Sequence, residues 1–274
     1  LPLVCITASV RSVQWPASIV LIGAGKVASA MGKRLSETGH QVVAVWSRNV
    51  VHADALASDI NTIGTSELSA IPRQADLYLL VVPDQAIGSI AEQLATIISS
   101  QSLVLHTSGA TPASVLNSFR RHGVFYPLQT FSPGREVDFS KVPLCLYTSI
   151  AADFAPLERL AKRISDRVYR VSDAQRLQLH LAAVFVNNFT NYMQHIAQEI
   201  VEAHELPGDL LLPLLQETID KLEDLSPQDA QTGPALRDDQ ATLERHQKLL
   251  EEHPHWQALY RMLSEGIQRD FRSS

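Results

Sequence analysis

A glycine turn near the N-terminus constrains this chain more than any other feature. Residues 17–49 read ASIVLIGAGKVASAMGKRLSETGHQVVAVWSRN. Ile19 to Ile22 is a short, β-branched, apolar run of the kind that forms a buried strand. It enters Gly23-Ala24-Gly25-Lys26-Val27-Ala28, which fits G-x-G-x-x-[GA]. Val27, Ala30, Met31 and Leu35 then lie on or near one helical face, Gly39 stands where a helix stops, and Gln41 to Trp46 reads as a second strand. In this context each residue of the motif has a task. The first glycine permits the tight turn, and the second leaves no side chain where a pyrophosphate approaches. The small Ala28 lets the helix lie close on the strand. The N–H groups of the first helical turn then face an anion.

The end of the second strand bears on which dinucleotide is bound. An NAD site commonly places an acid about 20 residues on, to hold the ribose 2′-hydroxyl. Ser47-Arg48-Asn49 stands there instead. An acid repels a 2′-phosphate, whereas Arg48 can grip one through paired, charge-assisted hydrogen bonds. The expectation is NADP rather than NAD, with a solvated surface arginine as the alternative.

Further along, Asp76 to Val82 is a continuous apolar run that ends in Pro83-Asp84, and Gln85 to Ile98 has helical period. Ser102 to Leu105 is another buried strand, ending in His106-Thr107-Ser108-Gly109-Ala110, and Thr111-Pro112 is expected to open a helix. Gly123 to Tyr126, Leu144 to Thr148 and Val168 to Val171 read as strands, with a helix near Asp153 to Ile164. This alternation predicts an α/β fold, a doubly wound, mainly parallel sheet. From Ser172-Asp173 the pattern is helical only. The expected division is residues 1–172 as the nucleotide-binding domain and 173–274 as an all-helical domain opened by one long helix, about Ala174 to His204.

In such a sheet ligands bind beyond the carboxyl ends of the strands. Val82-Pro83-Asp84, His106 to Ala110 and Pro127 to Ser132 lie there. On the long helix, His180, Asn187, Asn191, Gln194 and Gln198 recur at helical spacing, and the apolar run Leu181 to Val186 beside them predicts a buried upper part. His180 is the candidate proton donor or acceptor because an imidazole titrates near working pH. The competing reading is a satisfied core histidine. Asp84, His106 and Tyr126 are secondary candidates. The loop Gln231 to Asp239 is dense in hydrogen-bonding groups, with Arg237 able to meet a carboxylate and Asp239 placed as a helix N-terminal anion; a plain inter-helix turn is the other reading.

Charge and composition remove several classes. A net charge of -6 offers no electrostatic footprint for nucleic acid, and no apolar stretch is long enough to span a bilayer. Cys5 and Cys145 are far apart, not spaced as a metal or redox pair, which suits a reducing, cytoplasmic setting. The mildly apolar start, LPLVCITASV, lacks a basic segment and a cleavage pattern and is expected as an extra edge strand or a tail.

IGAGKVA, DLYLLVVPDQAI, VLHTSGA, FYPLQTFS, HLAAVFVNNFTNYM and AQTGPALRDD together resemble a bacterial family of Rossmann-like NADP oxidoreductases of the pyrroline-5-carboxylate reductase type, with a C-terminal helical domain of unknown function. The resemblance covers about Ile19 to Ile267. The resemblance implies a homodimer formed through the helical domain; the expected reaction is hydride transfer to or from a small polar substrate (a carbonyl, imine or alcohol). The chain is also similar to the β-hydroxyacid dehydrogenases, and Ser108 matches their substrate-touching serine. Their lysine, one turn before an Asn pair, is absent: Ala183 and Val184 precede Asn187-Asn188. That absence keeps a second possibility open, an NADP-binding sensor or scaffold without turnover. A dehydrogenase of the prephenate kind is a third. Asp238 also replaces the glycine of the family's QTGPA-x-R-G-D pattern.

Overall fold

The computed structural model describes residues 17–132 and 134–271. The strand or tail expected from the first ten residues lies outside them. The chain divides into two compact units, residues 1–187 and 188–274.

The first unit is built on an eight-stranded sheet. Its strands are β1 (Ser18–Ile22), β2 (Gln41–Trp46), β3 (Gly64–Thr65), β4 (Leu77–Leu80), β5 (Leu103–His106), β6 (Arg121–Pro127), β7 (Leu144–Thr148) and β8 (Val168–Arg170). The order is β3-β2-β1-β4-β5-β6-β7-β8. All neighbours are parallel except β6 and β7, which pair antiparallel from Gly123↔Thr148 to Pro127↔Leu144. The order reverses direction between β1 and β4, and that switch point is where a doubly wound sheet opens a crevice.

The strands are apolar throughout because both faces are covered. Ile19, Leu21, Leu77, Leu79, Leu103 and Leu105 face one core, shared with Ala28, Met31 and Leu35 of α1 (Lys26–Glu37). Ala53 and Leu56 of α2 (Val50–Asp59) and Leu157 and Leu160 of α4 (Phe154–Ile164) complete it. Val20, Ile22, Tyr78, Leu80 and Val104 face the other, against Ile87, Ile90 and Leu94 of α3 (Asp84–Ala95). Period-2 alternation thus fills two layers from one set of strands. At the sheet's C-terminal half, Arg121 donates through Nε and Nη2 to the Asp153 carboxylate, at 3.0 and 2.6 Å, with both side chains buried. Thr111-Pro112 opens only a short 3-10 turn, Ala113–Leu116, where a helix was expected.

The long helix is interrupted. It runs as α5 (Asp173–Ala183), a π-helical segment Val184–Phe189, and α6 (Thr190–Glu202). A π turn takes one more residue than an α turn, so the helical phase slips and the stripe from His180 to Gln198 is not continuous. The expected burial of the upper part is also corrected: Leu181, Phe185 and Val186 are 52%, 60% and 75% exposed.

Beyond α6 the second unit contains α7 (Leu212–Asp224), α8 (Pro227–Ala230), α9 (Gln240–Leu249) and α10 (Pro254–Phe271). Among the described residues no strand follows Arg170. Asp239 caps α9, its carboxylate accepting the Thr242 N–H at 3.1 Å and the Thr242 hydroxyl at 2.8 Å. Those bonds hold its pKa below the usual carboxylate range. Asp238 has φ of +57°, a left-handed conformation that glycine takes most readily. No described helix is long and apolar enough to cross a membrane.

Candidate functional site

Two neighbouring regions at the C-terminal edge of the first unit's sheet hold the candidate residues. The glycine turn after β1 is the first. Gly23 has φ of +130° and donates its N–H to the Trp46 carbonyl at 2.7 Å. A Cβ there would stand 2.1 Å from the Val81 carbonyl oxygen, so only glycine fits between β1 and the end of β4. Gly25 is the N-cap of α1 and brings no side-chain cap. A Cβ on Gly25 would meet nothing within 4 Å. Gly25 therefore leaves the start of α1 open, the place where a pyrophosphate approaches a helix N-terminus. Ala28 is fully buried against the sheet, as close helix packing requires.

At the end of β2, Asn49 caps α2 by accepting the Val51 N–H at 3.0 Å, and the Ser47 N–H donates to Thr65 at 3.0 Å. Arg48 is exposed and has no ion pair among the described residues. Val82 and Pro83 lead into α3, and Pro83 is its N-cap. A cavity of about 710 Å³ lies between α1 and residues 131–132 and 134–139, lined in part by Ala24, Gly25 and Lys26.

The second region gathers Asp84, His106, Ser108, Tyr126 and His180. The Ser108 hydroxyl donates to Asp84 Oδ2 at 2.7 Å and accepts the N–H groups of Ala110 and Thr111 at 3.1 and 2.9 Å. It is buried and engaged within the loop, whose shape it holds from within. The Ser108 N–H donates to His106 Nδ1 at 3.1 Å, which leaves the His106 proton on Nε2. Burial, then the Arg176 charge, lowers the His106 pKa to about 4, so this imidazole is neutral at pH 7.

Gly109 is the floor of the region. A Cβ there would come within 2.6 Å of His180 Nδ1 and 2.9 Å of the Tyr126 hydroxyl. Above it, that hydroxyl and His180 Nδ1 are 3.3 Å apart, with the rings edge to face at 68°. Burial pushes the Tyr126 phenol pKa up, and Cys145, its partner across β6 and β7, adds to this while Arg176 opposes it. A half-buried phenol touching an imidazole is a unit that can hold and pass one proton. Asn187 is exposed in the π segment and has no hydrogen bond to His180 among the described residues.

Sequence reasoning did not single out Arg176 and Asp173. Arg176 is 1% exposed and donates to Asp173 Oδ1 at 2.7 Å and to the Thr111 carbonyl. Asp173 Oδ2 accepts the Ala113 N–H at 2.9 Å. The available signal was the capping box of Ser172 and Gln175, which fixes the start of α5 and puts Arg176 one turn before His180.

Two family models match the chain. One, described as a Rossmann-like domain, matches residues 7–131. The other, described as a domain of unknown function (DUF2520), matches residues 142–267. Among solved structures, a candidate NADP oxidoreductase of Bacteroides fragilis is 39% identical, with a TM-score of 0.87 over 92% of this chain and 98% of its own. A pyrroline-5-carboxylate reductase of Coxiella burnetii has a TM-score of 0.58 over 94% of this chain and 98% of its own. At 18% identity that likeness is one of fold alone. Among curated proteins, a glycerol-3-phosphate dehydrogenase (NAD(P)+) of Staphylococcus aureus is 27% identical over 103 residues, 33% of this chain. The chain spans only 31% of that relative's length.

Proposed function

We propose, because this chain belongs to the family that joins a Rossmann-like domain to DUF2520, that it is an NADP(H)-dependent oxidoreductase acting on a small polar substrate, a carbonyl, an imine or an alcohol. The open cradle at Gly25, with uncapped N–H groups behind it, carries this reading. Bound NADP(H) supplies or accepts the hydride. Gly23, Ala24, Gly25, Lys26, Val27 and Ala28 hold the pyrophosphate. Ser47, Arg48 and Asn49 take the 2′-phosphate, with Arg48 providing the charge. Val82, Pro83 and Asp84 border the nicotinamide end. The likeness at 39% identity to the Bacteroides fragilis protein supports NADP over NAD. His180 holds the proton at Nδ1 and Tyr126 shares it, while Ser108 keeps the loop beneath them in shape. Asn187 is the candidate for orienting the substrate.

Titration with NADPH and NADH, read by nucleotide fluorescence, tests the cofactor. The chain should prefer NADPH, and Arg48→Asp should weaken that binding by about 10- to 100-fold, the value of one charge-assisted contact. Equal affinity of the parent chain for both nucleotides removes the role given to Arg48. His180→Ala should lower turnover by about 10²- to 10⁴-fold, as loss of a general acid or base does, while NADPH binding stays intact. A His180→Ala variant with normal turnover reassigns the proton.

The reading includes a homodimer through the helical domain. Leu181, Phe185, Val186, Phe189 and Tyr192 are all exposed in the single chain, and an apolar run of that extent supports a protein-covered face. Sedimentation of the purified chain at the mass of one copy refutes it.

A further inference from the structure

Arg176 is costly in three ways. Its guanidinium is buried, its Nε has no hydrogen-bond partner among the described residues, and it sits in the first turn of α5, where the helix dipole disfavours a cation. An apolar side chain of similar volume avoids all three. What an apolar residue cannot do is tie two segments together. Arg176 joins the Thr111 carbonyl to Asp173, and Asp173 in turn holds the Ala113 N–H. Ser108 binds the N–H groups of Ala110 and Thr111 from the other side. Gly109 is therefore held between two anchored residues, and the Tyr126–His180 pair rests on Gly109.

We propose that Arg176, acting with Asp173, is a positioning residue for His180. It latches the loop 108–113 to the first turn of α5, and so fixes the distance between His180 Nδ1 and the Tyr126 hydroxyl. The inference rests on the reading that this pair exchanges a proton. Arg176 touches neither member; it acts through the loop and through the helix that carries His180 one turn further on. Lysine cannot replace it, because a single ammonium does not present the planar fork that reaches two partners at once.

The ¹⁵N side-chain spectrum of the full, histidine-labelled chain tests this without turnover. Loss of a signal in His180→Gln identifies His180, and Tyr126→Phe marks where that signal lies when the hydroxyl contact is gone. Arg176→Met should move the His180 Nδ1 resonance to the Tyr126→Phe position and leave NADPH affinity unchanged. Arg176→Lys should move it part of the way. If Arg176→Met does not fold, Asp173→Ala, which frees both Arg176 Nη1 and the Ala113 N–H, should shift the signal in the same direction. A His180 resonance at the parent position in folded Arg176→Met or Asp173→Ala overturns the latch while leaving the Tyr126–His180 reading intact. A resonance unmoved by Tyr126→Phe overturns that reading, and the latch with it.

Discussion

A Gly23→Ala variant is expected to lose NADPH binding and to unfold more easily by roughly 2–5 kcal/mol, the combined scale of backbone strain and overpacking. The methyl group has nowhere to go. Its carbon would stand 2.1 Å from the Val81 carbonyl oxygen and 2.8 Å from the carbonyl carbon, and both are backbone atoms. Val81 cannot retreat, because its N–H donates to the Ile22 carbonyl at 2.8 Å in the β1–β4 ladder. The φ of +130° adds a strain of its own for any residue with a side chain. Gly25→Ala is the informative contrast. Its methyl meets open space, so stability should hold while binding falls, since the methyl occupies the cradle. Equilibrium urea unfolding and NADPH titration of the two variants separate the effects. A stable Gly23→Ala that binds NADPH like the parent would falsify the steric account.

Acid should destabilise the first unit before its carboxylates titrate. His40 and His106 are 4% and 0% exposed, and burial, helped by Arg163 and Arg176 respectively, lowers each pKa from 6.5 to about 4. Between those values the unfolded chain binds protons that the folded chain refuses. Stability is therefore fully present above about pH 6.5 and falls as pH drops toward about 4. At about 1.4 kcal/mol per pH unit, each histidine accounts for roughly 3 kcal/mol across the window. Urea midpoints at pH 7 and pH 4.5 read the loss directly. His106→Gln, which removes one of the two titrations, should roughly halve the slope. Identical midpoints at the two pH values would mean that these imidazoles are charged, or reached by water, in the folded chain.

The cofactor cradle was legible in the sequence because every part of it is local. Strand, glycine turn, helix and second strand fall within residues 17–49, and turn geometry and side-chain size there depend on neighbours only a few positions away. The sheet's strands were legible for a related reason, since burial on both faces writes an unbroken apolar run. Asp238 shows the limit of reading a substitution by residue type: the glycine is gone, but φ of +57° is taken by an aspartate that tolerates it.

The cluster over Gly109 was legible only as separate candidates. His106, Ser108, Tyr126 and His180 are marked by residue type, but their meeting depends on β5, β6 and α5 sharing one edge of the sheet. The antiparallel turn of β6 into β7 is likewise invisible in apolar period alone. The π segment escaped notice because an apolar run has the same composition at either helical pitch, and it broke a stripe that ideal spacing had drawn. The Arg176–Asp173 latch lay furthest from view. Its partners, Thr111 and Ala113, are some sixty positions away, and the guanidinium reads as an ordinary helix charge until the fold buries it.

The sequence by itself determined the dinucleotide turn, the α/β alternation and the helical second half. These follow from short-range sterics and from the period of burial. Tertiary structure decided which side chains meet over Gly109, which hydroxyl is consumed in holding a loop, and where the long helix changes pitch. Those outcomes depend on contacts between segments far apart in the chain, and only the folded sheet brings such segments within hydrogen-bond reach.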